Sequence, residues 1–559
     1  MTALSLLPAL FLLQSADLPD LDVTLAPVGT EEAGLTRINV EMVLEQPGFA
    51  VGTPILRMPT FIVATPTAAY ETADLTVSDD LGELTLTQHE EAPNSTGRYR
   101  HWTADRDTVG DVRYAYGTPP REVSAATRNG PLFDLRAEEG GLQGAGVYFF
   151  AVPKENEPHE ISLSWDMSQA PEGTRGVTSH GEGDQSRIAP PTTLAFSYYS
   201  MGPVKSIPEE GKSAFALYWL SEPPFDMVTF GIQTKKLYDF MADFFGDEDS
   251  TYKVFARKNP YPSGGGTVLA NSFMFGYGSE GDTVEGGKEG LIAHEMAHNW
   301  PRLDSDPHPF TAWYTEGTAE YYSTVLPYRA RMTDAQSVLE SINAKAERYY
   351  TNPFADASNA AAGDVFWIDS RAQRVPYGRG FLYLAALDAK LKESSGGETS
   401  VDTLVLEVLA RQRQGGTVDL AAWEELVVSY LGDEGAEMYR SMTKGEPIDI
   451  PTSTFGPCFE AYETEVRGFD LGFDDMRLAV VADLRDGSPA ATVGLREGES
   501  IIRIDGLDEA REDASQEVIV RVVRDGVQQD VQFLPRGEPK PATLWRWAPG
   551  FDAQSDCAL

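Results

Sequence analysis

The sequence is poor in positive charge and in long apolar runs. Its 559 residues carry 45 Lys and Arg against 86 Asp and Glu, a formal net charge of -41. A surface this acidic repels phosphate backbones and anionic lipid, which argues against nucleic-acid and membrane-surface partners. After the N-terminal segment, no apolar run approaches the roughly 20 residues of a membrane span. The composition therefore predicts a soluble, strongly solvated protein.

Cysteine is also scarce, and basic residues are missing from the N-terminal segment. Residues 3–13 form an apolar run that resembles a secretory h-region, and small residues that resemble a cleavage site follow before Asp17. No Lys or Arg precedes the run, unlike the usual n-region. We expect residues 1–16 to be a signal peptide and the protein to be exported, periplasmic or secreted. In that compartment Cys458 and Cys557 could pair and tie the C-terminus back, or remain unpaired.

Length and patterning predict several domains. Hydrophobic residues make up 42% of the chain, which is ample for buried cores in three or four domains. Residues 17–201 contain alternating stretches such as Ile38, Val40 and Met42, the period of half-buried antiparallel strands. Helical periodicity dominates residues 202–445, after short strands that include residues 252–256 and 268–275. Residues 446–457, rich in Pro, Ser and Thr, predict a linker.

An HExxH motif occupies residues 294–298 of a chain that has only seven histidines. In a helix, His294 and His298 project from one face a turn apart, so both imidazoles can reach one metal ion. Glu295 would then flank the site as general base. Apolar residues at helical spacing, and the lack of proline before Pro301, favour the helix. The alternative interpretation is a surface helix with two solvated histidines.

A catalytic zinc ion usually takes three protein ligands and keeps a position for water, so a third ligand is expected downstream. The metzincin pattern would place it at Asp304, but it requires glycine where Pro301 stands. His308 lies between two prolines in a predicted loop. Neither position is favoured.

Glu316 is the favoured third ligand. Residues 313–322 predict a second helix that begins near Thr315 and would hold Glu316 in its first turn. Glu320 falls one turn later on the same face. It could accept a hydrogen bond from a liganding histidine, or it could be an exposed helix acid.

These segments resemble a known family. HEMAHNW at residues 294–300, followed by WYTEGTAEYY at residues 313–322, resembles the gluzincin metallopeptidases, and most of all the glycyl aminopeptidase family with a C-terminal PDZ domain. The related aminopeptidase N and leukotriene hydrolase group shares the W-x-x-E-G element. The resemblance implies a thermolysin-like catalytic domain after an N-terminal β domain. It also implies Zn2+ on His294, His298 and Glu316.

Two further segments bear on the activity that this resemblance implies. VPYGRG at residues 375–380 resembles the V-P-Y-x-K-G segment, which implies that Tyr377 stabilises the tetrahedral intermediate; a packed tyrosine at a helix start is the alternative. The family also has a G-G-L-E-H-like strand whose glutamate holds the free amine of the substrate. The matching stretch here, residues 264–272, has Val268 at that position. The resemblance therefore supports a peptidase more directly than an aminopeptidase.

Residues 458–540 resemble a PDZ domain, with a G-S-P-A helix start and a strand that ends in D-G at residues 501–506. Two alternating stretches flank Asp525-Gly526, a strong signal for a two-residue hairpin turn. Such a domain could capture an extended peptide by strand addition, or serve as a structural cap on the peptidase. Residues 541–559 are predicted to be a C-terminal tail.

Taken together, the sequence predicts a multidomain α+β zinc peptidase with a β-rich domain, a mainly helical catalytic domain and a PDZ-like β domain. Glu295 would move the proton of a metal-activated water to the leaving amine, and Tyr377 would donate to the oxyanion. The partners would be a peptide or protein substrate and a peptide ligand at the PDZ-like domain.

Two alternatives to an aminopeptidase stay open. The first is a zinc endopeptidase that does not recognise a free amine. The second is a non-catalytic peptide-binding protein with a structural zinc site. A structural site needs four ligands, and none of Asp304, Asp306 and His308 is an obvious fourth.

Overall fold

The computed structural model describes residues 18–559 except residues 64, 95–96, 125–126, 128–130, 156, 210–212, 248–250, 261–264, 270, 279–287, 305–306, 367–368 and 476. The predicted signal peptide, residues 1–16, lies outside the described residues. Within the described part of the chain, no helix is both long enough and apolar enough to cross a membrane. Over these residues the chain divides into two compact units, Met1–Tyr238 with Glu248–Glu285, and Asp239–Asp247 with Gly286–Leu559.

The first unit is rich in β-strands. In chain order its described strands are β1 (Asp20–Thr30), β2 (Gly34–Leu44), β3 (Pro54–Ile62), β4 (Thr65–Pro66), β5 (Thr76–Asp79), β6 (Gly82–Glu83), β7 (Leu86–Glu90), β8 (Gly97–Ala104), β9 (Val112–Thr118), β10 (Arg136–Glu138), β11 (Gly141–Ala145), β12 (His159–Trp165), β13 (Arg175–Thr178), β14 (Gly181–Glu182), β15 (Gln185–Ala189), β16 (Tyr198–Gly202), β17 (Lys205–Ile207), β18 (Phe215–Trp219), β19 (Tyr252–Lys258), β20 (Gly265–Leu269) and β21 (Ser272–Tyr277). The helices among them are α1 (Gly146–Phe149), α2 (Thr192–Ala195) and α3 (Met227–Phe244), which runs on into the second unit.

Over the described residues these strands form four sheets. A seven-stranded sheet has the order β15-β12-β1-β2-β9-β5-β6, two five-stranded sheets have the orders β10-β11-β16-β13-β14 and β17-β18-β19-β21-β20, and a four-stranded sheet is β4-β3-β8-β7. The predicted alternation is present in β2, where Ile38, Val40 and Met42 are buried and the residues between them are not. Successive strand side chains point to opposite faces, so this pattern places one face of β2 in the core.

One predicted strand is wrong. Residues 268–275 form two strands, and β20 pairs with β21 as an antiparallel hairpin in which Leu269 lies opposite Ser272. Asn271 turns the chain with φ of 51°, a conformation that asparagine tolerates better than most residues. β19, β20 and β21 belong to the first compact unit rather than to the unit that contains the HExxH motif.

The second unit begins with helices. Its described elements are α4 (Lys288–Ala297), α5 (His308–Arg329), α6 (Ala335–Tyr350), α7 (Asn359–Asp364), α8 (Ser370–Ser395), α9 (Val401–Arg413), α10 (Leu420–Lys444), β22 (Phe459–Val466), α11 (Pro489–Thr492), β23 (Ile501–Asp505), α12 (Leu507–Glu512), β24 (Val518–Arg524), β25 (Val527–Phe533) and β26 (Lys540–Trp547). Helical periodicity, predicted for residues 202–445, thus extends through α10, which has a break at Gly432, whose φ is 60°.

The strands after residue 457 form a C-terminal β module. β22 pairs with β26, and β23, β24 and β25 form a three-stranded sheet among the described residues. The predicted hairpin is confirmed, because Arg524 lies opposite Val527 and both turn residues have positive φ. Residues 541–547 of the predicted tail belong to β26. A disulfide joins Cys458 to Cys557, which resolves the two alternatives for these cysteines.

Candidate metal centre and active site

The HExxH motif lies at the C-terminal end of α4. The helix ends at Ala297, but the backbone keeps turning because the N–H of Asn299 donates to the carbonyl of Met296 at 3.0 Å. His298 therefore stays on the face that carries His294, as four-residue spacing requires. The local pattern alone accounts for the approach of the two imidazoles, whose ring centroids lie 4.9 Å apart.

α5 begins earlier than predicted. It starts at His308 rather than near Thr315, with Pro309 in its first turn. Proline fits a first turn because its missing N–H would have no intrahelical partner there. The prediction of a loop around His308 is therefore wrong, and Glu316 lies in the helix interior, where rigid backbone on both sides holds it.

Glu316 converges with the two histidines. Its Oε2 atom lies 3.3 Å from His294 Nε2 and 3.4 Å from His298 Nε2. Among the described residues, these three side chains are the one group of His, Cys, Asp and Glu whose ligand atoms all lie within 4.8 Å of one another. Glu316 Oε2 is buried, and no described residue donates a hydrogen bond to it. An acceptor in that state is costly unless a cation approaches it.

The donor set fits Zn2+. Two imidazoles and one carboxylate are a ligand set of catalytic zinc sites that leave one position open. The buried Glu316 oxygen without a donor is the atom that a metal ion would satisfy. The residues present thus fit the cofactor that the sequence predicts, with His294, His298 and Glu316 as the side chains able to hold it.

Asp304 and His308, the competing third ligands, do not belong to this group of converging ligand atoms. Asp304 Oδ2 accepts hydrogen bonds from Gln412 Nε2 at 2.8 Å and from the N–H of Val418 at 3.2 Å. Its carboxylate therefore binds the last turn of α9 and the segment before α10. The His308 ring contacts Phe366 edge-on, with centroids 5.5 Å apart. Asp306 lies outside the described residues.

A partly buried acid and a buried lysine lie behind His294. Glu320 Oε1 is 3.9 Å from His294 Nδ1, too long for a hydrogen bond but close enough for electrostatic attraction. Glu320 Oε2 is 2.8 Å from Lys345 Nζ. Burial opposes ionisation of Glu320, but Lys345 outweighs it and lowers the pKa of this carboxyl. Sequence reasoning misses Lys345, although a cation in the apolar stripe of α6 was a visible signal.

Two glycines bring Tyr377 to the centre. A Cβ on Gly317 would lie 2.5 Å from Gly380 Cα, and a Cβ on Gly380 would lie 1.8 Å from the Trp313 carbonyl oxygen. α5 and α8 can cross this closely only without side chains there. Tyr377 lies one turn before Gly380, and its ring stacks on that of His294 with centroids 5.7 Å apart and planes 3° apart.

No protein-family model and no curated protein matches this chain. Solved structures do match. An aminopeptidase N family protein from Idiomarina loihiensis, 14% identical, covers 94% of this chain and 98% of its own with a TM-score of 0.66. This chain has the fold of that protein.

Two further solved structures are more distant. The M1 zinc metallopeptidase from Deinococcus radiodurans is 15% identical over 78% of this chain and 95% of its own, with a TM-score of 0.45. Yeast LTA4 hydrolase is 14% identical over 78% of this chain and 68% of its own, with a TM-score of 0.46. The likeness to the Idiomarina protein confirms the predicted β-rich N-terminal region and helical middle region. The PDZ assignment stays a prediction.

Burial sets the protonation of the groups in this aminopeptidase N-like fold. Burial raises the pKa of Glu295, against the opposing effect of the two imidazoles. Burial would also raise the pKa of Glu316, but His294 and His298 outweigh it and hold that pKa well below its usual range. Burial, reinforced by Glu316 and Glu295, raises the pKa of Tyr377, so its phenol keeps the proton and can donate.

Val268, at the position expected for an amine anchor, lies in β20 opposite Phe273. Neither β20 nor β21 contains an acidic residue. Glu280, Asp282 and Glu285 lie outside the described residues, as does the side chain of Glu289. No described residue of this hairpin supplies the carboxylate that an amine would need.

Proposed function

We propose that this protein is a zinc-dependent aminopeptidase that hydrolyses peptide bonds with a metal-activated water. The observation that carries the proposal is the buried Glu316 oxygen that faces two imidazole nitrogens and accepts no hydrogen bond from a described residue. The similarity of the whole fold to an aminopeptidase N family protein supports the same class. The ligands are His294, His298 and Glu316, and the catalytic residues are Glu295 and Tyr377.

The roles of these residues follow from their chemistry. Zn2+, held by His294, His298 and Glu316, would supply a Lewis acid able to polarise a carbonyl and to lower the pKa of a water. Glu295 accepts the proton of that water and passes it to the leaving amine, and its raised pKa brings it closer to the working pH. Tyr377, kept protonated by burial and by the carboxylates around it, donates a hydrogen bond to the developing oxyanion.

The test of this proposal is the Glu295→Gln variant. The wild-type protein should hold about one zinc ion per chain, measured by elemental analysis. Because Glu295 is not a ligand, Glu295→Gln should keep this zinc while its turnover falls by roughly 10² to 10⁴. Loss of zinc from that variant would make Glu295 a ligand and overturn the mechanism. Zinc-bound protein that cleaves no peptide would favour the binding-protein alternative.

A zinc endopeptidase is the second candidate, because Val268 stands where the family has its amine-binding glutamate. A buried ammonium without a carboxylate is costly, so substrates with a free amine would bind poorly without another anchor. One peptide series with free and with acetylated N-termini separates the two activities. Cleavage confined to free N-termini is the result that the aminopeptidase proposal predicts. Equal cleavage of both series would establish the endopeptidase.

The C-terminal β module is proposed to be a PDZ-like domain. Its three-stranded sheet, its hairpin and its own apolar cluster support this proposal. The module could capture peptides by strand addition or serve as a cap. Labelled peptides titrated into Glu295→Gln and into a zinc-free Glu316→Ala variant distinguish the two roles. Peptide binding that persists without zinc indicates capture by the module, and binding lost with zinc indicates a cap.

Export is proposed from the apolar segment at residues 3–13. The disulfide between Cys458 and Cys557 supports it, because disulfides persist in oxidising compartments. N-terminal sequencing of the protein from fractionated cells should place the mature protein outside the cytoplasm, beginning near Asp17. An uncleaved cytoplasmic protein would contradict export.

A further inference from the structure

A buried lysine stands behind the candidate metal centre. Lys345 on α6 is 8% exposed. Its Nζ lies 2.8 Å from Glu320 Oε2 and donates to Thr324 Oγ1 at 2.6 Å and to the Glu320 carbonyl at 2.9 Å. These partners all belong to α5, the helix that carries Glu316. The ammonium is therefore fully hydrogen-bonded on the side of α5 that faces α6.

Packing alone does not explain a charge at this position. The other residues that share the buried stripe of α6 with Lys345 are apolar or aromatic, and they are Ala335, Val338, Leu339, Ile342, Ala346 and Tyr349. A buried ion pair carries a desolvation cost that often equals or exceeds its Coulombic gain, and apolar side chains of similar volume commonly serve as well. A methionine at position 345 would fill the same space and keep the stripe apolar. The charge of Lys345 calls for a role beyond joining α5 to α6.

We infer that Lys345 is a positioning residue of the metal centre. It fixes the Glu320 carboxylate through one oxygen, Oε2, and leaves the other, Oε1, facing His294 Nδ1 at 3.9 Å. The negative charge of the carboxylate on that side favours the tautomer with the proton at Nδ1 and the lone pair at Nε2, the atom 3.3 Å from Glu316. This inference rests on the proposed function, because it assigns His294 Nε2 to a zinc ion.

Asn343 offers a matched control on the same helix. Its side-chain amide donates to the Trp545 carbonyl and accepts from the Trp545 N–H, both at 2.8 Å. Replacing Asn343 by Ala removes a tertiary contact of α6 and leaves the Lys345–Glu320 pair in place. A purely structural role for Lys345 predicts that the two positions behave alike.

The experiment measures zinc affinity of the full-length protein by competition with a chelator, for wild type, Lys345→Met, Glu320→Gln, their double variant and Asn343→Ala. We expect Lys345→Met to weaken zinc binding roughly 10- to 100-fold, the usual effect of losing an outer partner of a ligand. The double variant should bind zinc no more weakly than Glu320→Gln alone, since both changes break one chain of contacts. Asn343→Ala should lower the unfolding temperature and keep the zinc affinity of wild type.

Three results would overturn the inference: wild-type zinc affinity in Lys345→Met, additive losses in the double variant, or an equal loss of affinity in Asn343→Ala. If Lys345→Met does not fold, Lys345→Gln keeps a donor to Thr324, removes the charge and is expected to lose the same affinity. Because the readout is zinc binding, wild-type protein that binds zinc but cleaves no peptide would refute the proposed function alone. Unchanged zinc affinity in Glu316→Ala would refute the ligand set, and the role of Lys345 with it.

Discussion

Each compact unit contains a buried cluster of charged side chains, and the two clusters differ in how their charges are balanced. In the first unit Asp134, 1% exposed, has three arginines around its carboxylate. Arg257 Nη2, Arg136 Nε and Arg121 Nη1 each lie 3.0 Å from one of its oxygens. In the second unit the Glu316 carboxylate faces the Nε2 atoms of two imidazoles, at 3.3 and 3.4 Å.

The difference separates a structural cluster from a ligand site. A buried carboxylate needs a cation, and at Asp134 three guanidinium groups, which are always charged, supply it. At Glu316 the groups that face Oε2 are two imidazoles, which are also metal ligands. Burial would raise the pKa of Asp134, but Arg257 and Arg136 outweigh it and hold that pKa below its usual range. Two buried carboxylates thus remain ionised for different reasons, and the one at Glu316 is surrounded by side chains that bind a metal ion.

The largest expected effect is at Glu316. Glu316→Ala leaves two ligands, so the protein should lose stoichiometric zinc and, with it, hydrolysis. Elemental analysis and a peptide assay measure both. With the zinc removed by a chelator, the same change should cost the protein less stability than Asp134→Asn does, because imidazoles hold a carboxylate less strongly than guanidinium groups do. Retained zinc would move the third ligand to Asp304 or His308, and an equal loss of stability in the zinc-free protein would erase the contrast with Asp134.

Asp134→Asn is expected to lower the stability of the protein and to leave its zinc content unchanged. It leaves buried arginines without their carboxylate, so the free energy of unfolding should fall by about 3–5 kcal/mol while zinc content stays at wild-type level. Urea unfolding measures the loss. Because the native pKa of Asp134 is depressed, its contribution is complete above about pH 4 and disappears as the pH falls through the native pKa. A loss of stability that does not shrink on acidification would contradict the ion-pair explanation.

Tyr377→Phe should have the smallest effect of the three. The change keeps the ring stacked on His294 and removes one donor to the oxyanion, so turnover should fall by roughly 10² to 10³. Substrate affinity, zinc content and unfolding temperature should change little. Steady-state kinetics with one short peptide provide the measurement. Unchanged turnover would leave Tyr377 as a packing residue of α8.

Features that depend on neighbouring residues were predictable from the sequence. The approach of His294 to His298 follows from four-residue spacing in a helical turn. The hairpin at Asp525-Gly526 follows from the preference of these residues for positive φ, and the buried face of β2 from period-two alternation. The two errors in secondary structure were also local. The start of α5 was predicted as a loop because proline in a first helical turn resembles proline in a loop, and the turn at Asn271 was missed because it lacks the glycine that commonly marks a turn.

Local sequence alone therefore determined that two imidazoles approach each other, that Glu295 flanks them and that a third ligand is to be expected. Tertiary structure decided which carboxylate reaches them, because the distance between two helices depends on side chains far apart in sequence. Tertiary structure also decided three other features: the close crossing of α5 and α8 at Gly317 and Gly380, the position of Lys345 behind Glu320, and the pairing of Cys458 with Cys557. Local periodicity fixes the face of a helix on which a residue lies, whereas only the packed core fixes what that face meets.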